Sequence, residues 1–252
     1  MGTAVEVVVP ASMHRSHIDR AFSWLRWVDV TFSTYRDDSE ISKVRRGELS
    51  LSEASAAVQD VVARCETISK ATEGWFTAYE GGSSERQALD PTGLVKGWSV
   101  DCVAARLREL APAGFAINAG GDVVCAGSSS ARARWRIGVQ HPHHPGEAAI
   151  VLHASELAVA TAGAYERGEH VWSVRALDSA RKKLLSATVI GPELGTGGRA
   201  RHGGLRLPWL AVGVAGSLPP LQRVVDRRRR TRVMVARLRA LPRLTWAGPS
   251  GR

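Results

Sequence analysis

At 252 residues and 44% hydrophobic, the chain can bury a full core as one large or two small domains, and no stretch approaches the roughly 18 continuous apolar residues of a membrane span. The formal net charge of +10 invites a nucleic-acid reading, but of 34 basic and 24 acidic residues, 13 arginines and one acid, Asp226, fall in residues 197–252. The first 196 residues therefore hold 21 bases against 23 acids, and a near-neutral body with a terminal arginine block lacks the charged face and interleaved aromatics of a nucleic-acid binder.

In chain order, residues 4–9 read as a short strand. Ile18, Ala21, Phe22, Leu25, Val28 and Phe32 recur every three or four residues and predict a first helix over about 16–33. A second is predicted over about 53–71, started by Ser52 and carrying Val58, Val61, Val62, Cys65 and Ile68 on one face. Val100, Val103, Ala104 and Leu107 predict a third after Lys96. Strand-like runs then follow at 115–119, 123–126, 135–139, 149–152, 157–161 and 185–190. Helices early and strands late, with few βαβ alternations, predict an α+β fold rather than a doubly wound sheet. Cys65, Cys102 and Cys125 have no paired spacing, sit in apolar-periodic segments and read as buried thiols. The prolines in His141-Pro-His-His-Pro145 mark a loop, and its spacing fits no zinc site.

The segment Asp90-Pro-Thr-Gly-Leu-Val-Lys-Gly97 joins a tight turn to one cation before the third helix. On this reading Lys96 sits at a helix N-terminus, where unpaired N–H groups and the helix dipole attract anions, so the lysine adds to a phosphate site. The same residue also reads as a solvated lysine at a helix start. Asp90 anchors the turn or binds a cofactor, and Asn118-Ala-Gly-Gly-Asp122 is a hairpin turn, a place of close backbone approach to a ligand, or both. No G-x-G-x-x-G, G-x-x-x-x-G-K-[ST] or G-x-S-x-G occurs, so dinucleotide-fold, P-loop and hydrolase-elbow readings lack their main support.

The octapeptide resembles the D-x-x-G-x-x-K-G signature of the FAD:protein FMN transferase (ApbE) family. Six further pieces stand in that family's order: Met1-Gly2-Thr3, Phe32-Ser33-Thr34-Tyr35-Arg36, Gly74-Trp75-Phe76, Ile117-Asn118-Ala119-Gly120-Gly121-Asp122, the run from Ala158 to Gly168, and Ser186-Ala187-Thr188-Val189-Ile190. The resemblance covers residues 1 to about 196. It implies an ApbE-like α+β fold with a late cluster of antiparallel strands, and transfer of the FMN half of FAD to a threonine or serine hydroxyl of an acceptor flavoprotein of membrane electron transport, with release of AMP. FAD is then substrate and Mg²⁺ the implied metal. Lys96 and His170 become the implied catalytic residues. Met1, Tyr35, Phe76, Thr77, Ala78, Asp90, Gly120, Gly121 and Asp122 join them around the cofactor, and the Gly93 carbonyl becomes a metal ligand. Taken from periodicity alone, Tyr35 reads as core. Where the family has Asp-Pro-x-Thr-Gly after the histidine, this chain has Ser173-Val174-Arg175-Ala176-Leu177. The first residues carry no basic leader or cleavage site, which places the chain as written in the cytoplasm; a start upstream of Met1 would permit export, as is frequent in the family.

After Gly191-Pro-Glu-Leu-Gly-Thr196 the family pattern continues with Asp-Ala-x-Ala-Thr-Ala and an apolar helix, whereas residues 197–209 here are arginine-, glycine- and proline-rich. Back-translating 198–209 with G/C-rich codons and dropping one base gives Asp-Ala-Arg-Ala-Thr-Ala-Ala-Phe-Ala-Phe-His. The tail is therefore compatible with a shifted reading frame, and it is expected to pack poorly. Two rival functions follow: an FAD-binding module impaired in transfer because it lacks the C-terminal metal ligands, and, more remotely, a nucleic-acid binder using the basic tail.

Overall fold

The computed structural model describes residues 3–71, 76–79, 88–130, 133–141, 144, 146–163, 184–195 and 210–215. A short strand, β1 (Val5–Val8), precedes four helices: α1 (Arg15–Phe32), α2 (Glu40–Arg45), α3 (Ala56–Ala71) and α4 (Thr92–Leu110). Seven strands follow: β2 (Gly114–Ala119), β3 (Asp122–Gly127), β4 (Trp135–Gln140), β5 (Ala148–Ala154), β6 (Glu156–Gly163), β7 (Leu184–Gly191) and β8 (Leu210–Ala215). The expected α+β architecture is what forms.

Every pairing among the described strands is antiparallel, in a six-stranded sheet ordered β1-β2-β3-β6-β7-β8 and a separate β4-β5 ribbon. Period-two alternation sends the sheet's two faces to different cores. Phe115, Ile117, Ala119 and Val124 pack with Leu25 of α1 and with Val100, Val103, Ala104 and Leu107 of α4. The opposite face, with Ala116, Val123, Cys125 and Val159, packs on Trp135, Ile137 and Val139 of β4 and Ile150 and Leu152 of β5. In β4 buried and exposed residues alternate strictly, as a ribbon covering one side of a sheet requires. A third core joins the helices through Val28, Phe32, Ile41, Val58, Val61, Val62, Cys65, Leu94 and Trp98. Among the described residues, no helix is long and apolar enough to cross a membrane.

Two helix expectations need correction, and one helix was not expected. α2, at six residues, is too short to show a period; it is started instead by Ser39, whose Oγ accepts the Ser42 N–H at 3.0 Å, and held by Ile41, which is fully buried. α3 begins at Ala56 rather than near 53, because Glu53 folds back onto the N–H and Oγ of Ser50 (3.2 and 2.5 Å) and closes a turn ahead of the helix. α4 begins at Thr92, a full turn before the expected start. Pro91 stands at its cap with φ −82°, a position that needs no N–H, and the Asp90 Oδ1 accepts the Thr92 N–H at 2.9 Å. The sequence pattern also indicates no element after residue 190, yet β8 pairs with β7 over Leu210 to Ala215.

Candidate flavin-nucleotide site

The early start of α4 changes the position of the signature residues. Lys96 is the fifth residue of the helix and not its N-terminal flank, so it does not add its charge to the open end of the helix. Its Nζ instead reaches across to Asp122 Oδ2 at 2.6 Å, with the lysine side chain 26% and the aspartate side chain 9% exposed. Asp122 is held from behind, since its Oδ1 accepts the Thr161 N–H from β6 at 3.1 Å. The Thr161 hydroxyl lies 3.0 Å from that of Thr188 on β7, and Thr188 is buried. The solvated-lysine reading of Lys96 is thus replaced by a fixed, half-buried ion pair, and Asp122 is committed to orienting that cation.

Asp122 follows the two-residue turn of the β2–β3 hairpin, in which Ala119 pairs with Asp122 and Gly120 and Gly121 have φ of +55° and +85°. Both central residues lie in the left-handed region, which suits the strand twist and explains the glycine pair. The Asn118 side-chain oxygen accepts the Gly121 N–H at 3.0 Å. Gly120 also meets β1: its N–H donates to the Ala4 carbonyl at 3.1 Å, and an added Cβ would lie 2.9 Å from the Thr3 side chain. The hairpin reading of this motif therefore holds, and its turn lies beside the third residue of the chain.

At the start of α4, Asp90 serves the turn: its carboxylate caps Thr92, and its own N–H donates to the Ala78 carbonyl at 2.7 Å. Ala78 is buried, Thr77 accepts the Tyr79 N–H through Oγ1 at 3.1 Å, and Phe76 packs on the helical core with its ring edge 3.3 Å from where a Gly93 Cβ would stand. Phe76, Thr77, Ala78, Asp90 and Gly93 thus converge on the first turn of α4. Tyr35 is 96% exposed on the loop between α1 and α2, so its core reading is wrong: α1 ends at Phe32, and Tyr35 lies beyond the helix face that carries the period. Met1 and His170 lie outside the described residues, as does the Ser173 to Leu177 departure.

Sequence reasoning missed Asp101 on α4. Its two carboxylate oxygens accept the N–H groups of Leu194 (2.9 Å) and Gly195 (2.5 Å), fastening the segment after β7 across the helix. Burial pushes its carboxyl up to about 6; the two N–H donors pull the other way, with nearby Glu193 raising it and Arg108 lowering it. The signal was present in sequence only as Gly97 and Gly195, two glycines in separate motifs whose contact no spacing reveals.

Among the described residues no group of three His, Cys, Asp or Glu is placed to hold a metal ion. The Gly93 carbonyl is a hard oxygen donor, but Asp90 caps Thr92 and Asp122 is occupied by an ammonium and an N–H. Among the described residues this donor set does not by itself fit Mg²⁺, which needs anionic oxygens in near-octahedral array. The thiols are unsuited to chemistry as well: burial pushes Cys65 and Cys125 to about 12 and half-buried Cys102 to about 11. The His141 and His144 rings lie tilted against each other, centroids 4.6 Å apart, in the loop between β4 and β5.

An antiparallel sheet with helices on one face and a lysine of a D-x-x-G-x-x-K-G helix bound to a hairpin aspartate defines a fold shared with known flavin transferases. The chain is similar to the flavin transferase ApbE of Vibrio cholerae (TM-score 0.59, 19% identity, 77% of this chain and 80% of the other). It is also similar to an ApbE protein of Thermotoga maritima (TM-score 0.61, 18% identity, 77% and 80%) and to the Pseudomonas stutzeri flavinyl transferase ApbE in its apo form (TM-score 0.57, 17% identity, 76% and 80%). A curated relative, the FAD:protein FMN transferase of Haemophilus influenzae, is 23% identical over 208 residues, covering 62% of this chain. The chain spans about 60% of that relative's length. The family model described as the ApbE family matches residues 1–82 and 82–200, and the chain belongs to that family.

Proposed function

We propose that the chain is an FAD:protein FMN transferase, taking FAD as substrate and moving its FMN half to a threonine or serine hydroxyl of an acceptor flavoprotein, in our reading one of membrane electron transport. In this reaction the hydroxyl oxygen forms a bond to the FMN phosphorus, the P–O bond to AMP breaks with the electron pair leaving on the AMP phosphate, and the hydroxyl proton passes to water. What supports it most is the Lys96–Asp122 pair at 2.6 Å. It holds an ammonium beside the two-glycine hairpin, on the helix whose first turn gathers Phe76, Asp90 and Gly93. An ammonium fixed by one carboxylate keeps donors for phosphate oxygens, and a flexible point charge suits a pyrophosphate whose charge shifts during transfer. Asp122 keeps that cation in place before substrate arrives, which is preorganisation rather than induced order. His170, implied by the resemblance, is proposed as a second donor to phosphate.

The Mg²⁺ of the proposed reaction would find the Gly93 carbonyl here and need carboxylate and hydroxyl donors from the segment after Thr196, where this sequence departs from the family. That departure favours a second reading, an FAD-binding module impaired in transfer. One assay separates the two. Purified chain, FAD, Mg²⁺ and an acceptor flavoprotein are incubated, and covalent flavin is read by in-gel fluorescence. Labelled acceptor together with released AMP supports the transferase; FAD quenching without label supports the binding module; neither sinks both.

A further inference from the structure

We infer that Asp101 is a positioning residue of this site: by accepting the Leu194 and Gly195 N–H groups it clamps the strap that follows β7 onto Gly97 and so fixes the α4 turn that carries Lys96. The inference rests on the flavin-nucleotide reading of Lys96.

The contact is backbone against backbone. A Cβ on Gly97 would stand 3.0 Å from the Leu194 carbonyl carbon and 3.1 Å from the Gly195 nitrogen. A Cβ on Gly195 would stand 2.9 Å from the Trp98 nitrogen and 3.0 Å from its Cα. Each glycine makes room for the other's main chain, so the strap presses directly on the residues after Lys96. Asp101, one helical turn further on, supplies both acceptors that hold it there.

Lys96 is thereby fixed from two directions. On one side stand Asp122, Thr161 and Thr188, linked through β3, β6 and β7. On the other the same β7 continues past Gly191 into the strap and returns to α4 at Gly97. The circuit closes on the lysine through main-chain contacts that Asp101 fastens. A carboxylate whose burial works against its charge, kept beside two backbone donors, is a group retained for geometry.

Asp101→Asn keeps the shape but turns an NH₂ toward one of the two N–H groups; Asp101→Ala removes both acceptors. Gly97→Ala displaces the strap from the other side with Asp101 intact. In the full 252-residue chain, amide hydrogen exchange at Leu194 and Gly195 should accelerate about tenfold in Asp101→Asn and more in the other two, while amides of Val103 to Leu107 stay protected. The ratio of FAD to riboflavin affinity, read by flavin fluorescence quenching, should fall about tenfold in all three, because the phosphate end of the site loosens and the flavin end does not. Unchanged exchange at Leu194 and Gly195 overturns the clamp. Faster exchange with the affinity ratio preserved shows Asp101 to be structural only and overturns the positioning role. A parent chain that binds riboflavin as tightly as FAD instead overturns the flavin-nucleotide reading, and with it any role of Asp101 in that site; Leu194 and Gly195 amides that still respond to Asp101 would mark that as the reading's failure and not the clamp's.

Discussion

Breaking the Lys96–Asp122 pair from either side should destabilise the fold, and removing both partners should cost less than the sum of the two single changes. Asp122 is 9% exposed in its side chain and, among the described residues, is met by the Lys96 ammonium and the Thr161 N–H, so Lys96→Met leaves this buried carboxylate without its cation. Asp122→Asn leaves the ammonium facing a neutral amide. Stripping one partner from a fully buried pair costs about 3–5 kcal/mol, and the quarter-exposed lysine reduces this to about 1–3 kcal/mol for either single change. For a protein of this size that is a Tm lowering of about 2–10 °C. The double variant should recover about 1–2 kcal/mol relative to the sum of the singles, since Met and Asn leave no charge to desolvate. Urea melts followed by circular dichroism on the four proteins close the cycle. Additivity to within about 0.5 kcal/mol would show that the two groups do not interact in solution and would remove the observation on which the phosphate-site reading rests.

The purified chain should bind FAD more tightly than FMN or riboflavin, and Lys96→Ala should weaken FAD binding by about 1.5–3 kcal/mol while Lys70→Ala, on an exposed stretch of α3, should not; equal affinities for all three flavins, or equal behaviour of the two variants, sinks the assignment. Gly120→Ala combines a φ of +55° with a 2.9 Å encounter with Thr3 and should cost about 1–3 kcal/mol in a urea melt, with a parent-like midpoint as the contrary result. Because the Asp101 carboxyl titrates near 6 when folded and near 3.8 when unfolded, the folded protein holds the extra proton between those values. The stability it contributes is present at low pH and lost as pH rises through about 6. The deficit of Asp101→Asn should therefore shrink by about 1–3 kcal/mol between pH 4 and pH 7, and a pH-independent deficit refutes it. Finally, transferase activity should be weak in the chain as written and recovered, with stability, by a one-base frame restoration near codon 197; full activity that trimming residues 197–252 abolishes would show instead that the tail is functional.

Local chemistry explains how much of this was legible in the residues. The alternation Trp135, Ile137, Val139 against Arg136, Gly138, Gln140 writes a one-sided strand, and the three- and four-residue spacing of apolar residues along the 18 residues of α1 writes a helix, because each pattern is set by which neighbours share a face. The glycine pair at 120–121 suited its own turn, since the type I′ two-residue hairpin needs positive φ at both positions. The family resemblance singled out Lys96 and Asp122 in two separate motifs, and the fold joins them in one ion pair. What periodicity could not show was that Pro91 and Asp90 start α4 a turn early, moving Lys96 from the helix end into its second turn, or that this lysine reaches an aspartate 26 residues on. Nor could it show that Gly97 and Gly195 are each other's reason, because a contact between main chains 98 residues apart leaves no period in either segment. Asp101 is silent for the same cause: its partners are backbone N–H groups, which every residue but proline carries, and only the fold decides which two of them it meets.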